Sequence, residues 1–260
     1  MAIEAGHLLR LAFGRPWRQT EGLLRSVTTL LGVSLAIPNH TTFSRRSVGL
    51  SLATPLPPTA EPIHVVIDST GLKVYGAGEW QKEKHGERGR RTWRKLHLAV
   101  NPDSSEILAA ELTSQEVGDL SMVGPLLGQI QSPLLSVTAD GAYDAEPVYQ
   151  AIAERQPQPP PAVIIPPRTT AVLSVTADTA PSPRDRHIQT IQEKGRRGWQ
   201  RAVGYGQRSL VETGMFRYKT LIGPTLRARK FAAQQVEARV ACSVMNRLTQ
   251  LGMPLSQRVR

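Results

Sequence analysis

Two short apolar runs, each closing on an aspartate, limit what this chain can fold into: Ile63-His64-Val65-Val66-Ile67-Asp68 and Leu134-Leu135-Ser136-Val137-Thr138-Ala139-Asp140. Apolar runs of this length with β-branched side chains suit strands covered on both faces, which requires helices on both sides of a sheet. A third run, Ala162 to Ile165, is closed by Pro166 and Pro167. The segments 93–100 and 106–112 flank Asn101-Pro102-Asp103-Ser104 and read as two antiparallel strands around a turn. Helices are predicted over 119–130 with Pro125 inside, over 145–155, over 184–221 with a glycine-rich interruption, and over 225–250. In the last of these Val236, Val240, Val244 and Leu251 mark a buried stripe. The order is that of an α/β protein with a mixed sheet.

The N-terminal part has a helical period instead. Leu23, Leu24, Val27, Leu30 and Leu31 mark one face of a helix over 19–32. Asn39 or Thr41 can cap a second helix that carries Arg45 and Arg46, giving a helix-turn-helix-like pair. Pro55, Pro57, Pro58 and Pro62 then exclude helix and central strand. The expected organisation is a helical region over 1–54, incomplete at its N-terminus, a Pro-rich linker over 55–62, and an α/β domain over 63–260 with a short insertion near 168–203.

Charge narrows the partner. Lys and Arg number 32 against 21 Asp and Glu, a net charge of +11, so a polyanion is the natural partner. The excess sits at the two ends, while residues 61–180 carry ten basic and fifteen acidic groups. Within that acidic middle, 82–95 is a basic island. Of the basic residues 25 are Arg, whose planar fork matches pairs of phosphate oxygens. The single Cys242 excludes a disulfide framework and a cysteine-built zinc cluster, and suits a reducing compartment. No run approaches the roughly eighteen apolar residues of a membrane span, and the first residues lack an apolar signal core. A soluble, cytoplasmic, nucleoid-associated protein is expected.

Tyr205, Arg208, Glu212 and Lys219 are separated by two, three and six residues. On a continuous helix they fall within a roughly 60° arc. A surface ion pair between Arg208 and Glu212 is the plainer use of two of them, but it is worth only about 0.2–0.5 kcal/mol and Arg before Glu is the less favoured order. A helix start delayed by Gly206 would leave Tyr205 in the preceding loop. Each aspartate, taken alone, serves equally as a cap or turn former.

This spacing resembles the Y-R-E-K signature of bacterial insertion-sequence DDE transposases, in particular the family-five group. The likeness extends over VVIDSTGLKVYGAGEW, RRTWRKLHLAV, TADGAYD and GRRGWQRAVGYGQRSLVETGMFRYK, and covers about 16–245. Between the motif Tyr and Arg this chain has Gly206 and Gln207, where the family usually has basic or imidazole side chains. The resemblance implies an RNase H-like mixed sheet flanked by helices, with a small N-terminal helical, DNA-binding region. It makes Asp68, Asp140 and Glu212 the catalytic acids and metal ligands, with Tyr205, Arg208 and Lys219 handling DNA phosphates beside them. It also implies a homodimer acting on double-stranded DNA, at the terminal inverted repeats of the element and at target DNA.

The chemistry follows from charge. Two carboxylates about 4 Å apart repel by about 4 kcal/mol at an effective dielectric near 20, so three that converge need either protonation or a cation. Hard oxygen ligands without nearby Cys or spaced His favour Mg²⁺ or Mn²⁺, and two such ions can drive an in-line displacement at phosphorus. Arg45, Arg46, Arg91, Arg94 and Lys95 are candidates for DNA backbone contact. His97 and His187 read as structural, Asp144 as a helix cap and Trp199 as core. Two alternatives stand beside the transposase: a truncated, inactive relative acting as a DNA-binding regulator, and an RNase H-like DNA nuclease without joining activity.

Overall fold

The computed structural model describes residues 1–50, 58–74, 93–156 and 158–252. The chain divides into two compact units, one of residues 1–54, 72–94 and 217–260, the other of 55–71 and 95–216. Sequence suggests a division in chain order at 54 and 62, whereas packing assigns the last helix to the same unit as the N-terminal helices. Residues 55–57 of the expected linker lie outside the described residues.

The second unit holds most of the sheet. Its strands are β1 (Ile63–Val74), β2 (Trp93–Val100), β3 (Ile107–Ser114), β4 (Leu134–Thr138) and β5 (Ala162–Ile164), in the order β3-β2-β1-β4-β5. β1, β4 and β5 run parallel. β1 does not end at Asp68, as the apolar run suggested. It continues to Val74, where Lys73 and Val74 pair with the short parallel strand β6 (Thr225–Leu226) inside the first unit. A strand therefore opens the segment expected as helix from 225.

Helices α4 (Val123–Gln129) and α5 (Glu146–Arg155) pack on each other, and α4 also packs on β3. The apolar runs that suggested buried strands supply the core: Val65, Ile67, Val137 and Val163 are buried with Leu126, Leu127 and Ile152. The predicted helix over 119–130 is split, a 3-10 turn at Asp119–Met122 preceding α4. Pro125 lies in the first turn of α4, where its missing N–H costs no hydrogen bond.

α6 (Pro183–Ala202) starts on a capping box between Ser182 and Asp185 and is kinked at Gly195. Gly204, in the left-handed conformation at φ 68°, separates it from a 3-10 turn at Tyr205–Arg208, and α7 (Ser209–Leu221) begins only afterwards. Tyr205 and Arg208 thus precede the α-helix, and the single helical arc drawn through four motif residues reduces to Glu212 and Lys219.

In the first unit, α1 (Ala2–Ala12) packs against α2 (Trp17–Leu30), α3 (His40–Arg45) and α8 (Phe231–Gln250). Gly6 permits this packing: a Cβ there would stand 2.3 Å from Phe43 Cε1. Asn39 caps α3 by accepting a bond from Thr42 N at 2.9 Å, as its position suggested. Val236, Val240 and Val244 are buried on α8, while Leu251 is exposed beyond the helix end. No helix among the described residues is long and apolar enough to cross a membrane.

Candidate active site

The parallel register brings the two strand acids together. Val66 stands opposite Thr138, and continuing that register by two residues sets Asp68 level with Asp140. Asp68 Oδ1 accepts a bond from Ser69 N at 2.7 Å, and Asp140 Oδ1 accepts one from Ala142 N at 2.8 Å, closing the 3-10 turn after β4. The second oxygen of each carboxylate is left to face Arg208.

Arg208 is the hub. Its Nη2 lies 3.1 Å from Asp68 Oδ2 and 3.6 Å from Asp140 Oδ2, and its Nη1 donates to Glu212 Oε1. One guanidinium thus gathers carboxylates from β1, from the end of β4 and from the first turn of α7. The ion pair expected at most as surface decoration is one arm of a four-residue cluster.

Burial drives the Asp68 carboxyl up from its ordinary range, and the Asp140 and Glu212 charges push the same way, against the Ser69 bond and Arg208. Burial works against the Arg208 charge, but the Asp68 and Glu212 carboxylates outweigh it and hold the guanidinium charged. Among the described residues no three His, Cys, Asp or Glu side chains are grouped so as to hold a metal ion in this arrangement. The acids are drawn to Arg208 instead.

Tyr205 is half-buried, with its ring 5.2 Å from that of Trp199; burial raises its phenol above the ordinary range. A cavity of about 910 Å³ is lined by Arg197, Arg201, Tyr205, Gln207 and Arg208. Arg197 and Arg201 were not singled out in the sequence. Their signal was the basic run approaching the motif, which gains meaning only when α6 ends at Ala202 and delivers both beside Tyr205.

The other predicted residues are placed elsewhere. Lys219 is half-buried on the last turn of α7 and belongs to the first unit. Lys95 Nζ donates to Val117 O at 2.9 Å and to Asp119 Oδ1 at 3.2 Å. Arg94 donates to Gln234 Oε1 at 3.0 Å and stacks over Phe231. Arg45 and Arg46 are exposed at the end of α3. Arg91 lies outside the described residues.

Asp144 is not a helix cap. It is buried and accepts from Arg184 Nε at 2.8 Å, Arg184 Nη2 at 3.1 Å and Arg168 N at 3.0 Å. Burial would raise its pKa, yet these bonds outweigh that and hold it below the ordinary carboxylate range. Trp199 is fully buried and its indole donates to His187 Nδ1 at 3.0 Å. His97 is buried with Nε2 2.8 Å from Thr113 Oγ1.

The chain matches known protein families. A family model described as a transposase DDE domain matches residues 59–247, and a second model of the same description matches residues 1–77.

Proposed function

This chain belongs to the DDE transposase family, whose members are nucleic-acid phosphoryl-transfer enzymes, and we propose that it binds the ends of an insertion sequence and catalyses metal-dependent DNA strand cleavage and strand transfer through Asp68, Asp140 and Glu212. The observation that supports this reading is the convergence of those three carboxylates, from segments far apart in the chain, on one guanidinium. Packing of the core does not account for it, because Glu212 is exposed and Asp140 half-buried, and only Asp68 is largely enclosed.

The donor chemistry suits divalent ions, because hard carboxylate oxygens are what Mg²⁺ and Mn²⁺ prefer. In this arrangement Arg208 supplies the positive charge that offsets the repulsion among the three acids, and no three described acids are grouped around a metal position. Asp68, Asp140 and Glu212 would hold Mg²⁺ or Mn²⁺, which would activate a water or a DNA 3′-hydroxyl and stabilise the leaving oxygen. Arg208 then has a second task. Released from the carboxylates, it is free to pair with a non-bridging phosphate oxygen, where its fork offsets charge that grows during displacement. Tyr205, Arg197 and Arg201 line the adjoining cavity and would guide the strand, with Lys219 and the exposed Arg45 and Arg46 as further backbone contacts. Action as a homodimer on paired ends belongs to the same reading.

Glu212→Gln tests it: metal-dependent nicking is expected to vanish while DNA binding survives, and loss of both or of neither counts against the assignment. A second test concerns the hub. Arg208→Gln should bind Mn²⁺ more tightly in titration calorimetry, because the carboxylates lose their internal counter-ion, yet nick DNA more slowly. Covalent joint products from pre-cleaved ends and Mg²⁺ separate a transposase from a nuclease.

A further inference from the structure

Asp68, Asp140, Glu212 and Arg208 all belong to the second unit, and Arg208 occupies the oxygens that a hard cation would need. Its Nη2 lies 3.1 Å from Asp68 Oδ2 and 3.6 Å from Asp140 Oδ2, and its Nη1 is bonded to Glu212 Oε1. The other oxygens of the two aspartates accept from Ser69 N and Ala142 N. A divalent ion and this guanidinium therefore compete for the same acceptors. Two positive groups within a few ångströms of each other also repel, so the site does not hold both at full strength.

Arg208 is itself incompletely satisfied among the acids. Its Nε is enclosed without a hydrogen-bond partner among the described residues, so the fork formed by Nε and Nη2 is used on one prong only. A phosphate group offers two oxygens at the spacing of that fork. Arg208 also lines the cavity that it shares with Arg197, Arg201 and Tyr205, so it touches both the acids and the space where a strand would enter. A plain structural clamp between β1, β4 and α7 would account for the ion pairs. It would not account for a clamp that takes the acceptors of the candidate metal ligands and leaves one of its own donors unused.

We propose that Arg208 is an interlock between metal and DNA: in the DNA-free protein it stands in for the cation and keeps the affinity of Asp68, Asp140 and Glu212 for Mg²⁺ or Mn²⁺ low, and a phosphodiester that draws it away opens the site. Metal and DNA then tighten each other's binding by the same factor, as linkage requires. The inference rests on the transposase reading for the identity of the anion and of the metal ligands. It adds that the hydrolytic site stays weak for metal until a strand is present.

The test is a Mn²⁺ titration of the full chain followed by electron paramagnetic resonance of the free ion, with and without a saturating short duplex, and with the duplex alone as blank. In the wild type the duplex should tighten Mn²⁺ binding about tenfold. Arg208→Gln should bind Mn²⁺ about tenfold more tightly than the wild type before any DNA is added, and the duplex should then add little. Arg208→Lys keeps the charge and should keep the DNA-free affinity near that of the wild type. A lysine variant as tight as the glutamine one would mean loosened packing instead of lost charge, and would overturn the interlock. No duplex effect in the wild type would overturn it too. So would an equal effect in the wild type and Arg208→Gln, which would assign the coupling to a phosphate oxygen on the ion itself. Failure of the transposase reading looks different: Asp68→Asn and Glu212→Gln would leave Mn²⁺ uptake unchanged in every state.

Discussion

Two charged clusters of the molecule are built as opposites. In the second unit three carboxylates surround one guanidinium; in the first, five cationic side chains (Arg10, Arg45, Arg227, Arg229 and Lys230) line a cavity together with one carboxylate, that of Glu237, whose oxygens are spent on backbone N–H groups. Contrast both with Asp144 and Arg184, where one acid meets one base and the account closes. A balanced pair explains itself as structure. An unbalanced cluster stores repulsion that folding gains nothing from, and the sign of the excess names the missing partner: cations for the acidic cluster, an anion for the basic one.

The largest effect should come from unbalancing the acidic cluster further. Asp68→Asn is expected to lower metal-supported nicking by on the order of a hundredfold or more, because an electrostatic group at the reacting centre is lost. DNA affinity in EDTA should stay within error, and a parallel fall would erase the division of labour between the two clusters. The balanced pair is the control. Asp144→Ala leaves the Arg184 guanidinium without its partner and should lower stability by about 3 kcal/mol in urea denaturation, without changing Mn²⁺ or DNA affinity of the folded protein.

Gly6→Ala probes the wall of the basic cavity. A methyl group aimed at Phe43 must push α1 away, for about 1–3 kcal/mol of lost stability. Urea denaturation checks this as well. The smallest effect is the pH dependence of His7. Burial and the neighbouring Arg10 charge lower its pKa to about 4, so the unfolded chain takes up a proton before the folded one does. Its contribution to stability is therefore lost as pH falls from about 6.5 towards about 4, roughly 1 kcal/mol near pH 5.5. A melting series in which His7→Gln flattens the acid limb between those values would bear this out; a limb unaltered by the substitution would not.

Much of the second unit is legible in the chain. The apolar runs ending near Asp68 and Asp140 become adjacent parallel strands, since strands without a polar face must lie inside a sheet. The Asn39 cap and the burial of Trp199 could also be read locally. Local reading failed where a partner from far away intervened. β1 outruns Asp68 because β6 pairs with its end. Asp144 left its capping role because Arg184, forty residues on, reaches it. Gly204 and Gly206 shortened α7 and moved Tyr205 and Arg208 out of the helix that the spacing had implied.

By itself, the order of residues determined which side chains carry chemistry and which short elements hold them, because periodicity and capping act within a few residues. Only the tertiary structure decided how their charges are combined: that Arg208 draws three acids to itself, and that Arg45 shares a cavity with Arg10 from the first helix and Arg227, Arg229 and Lys230 from near the last. Coulomb energy depends on distance through space, and distance along the chain is silent about it.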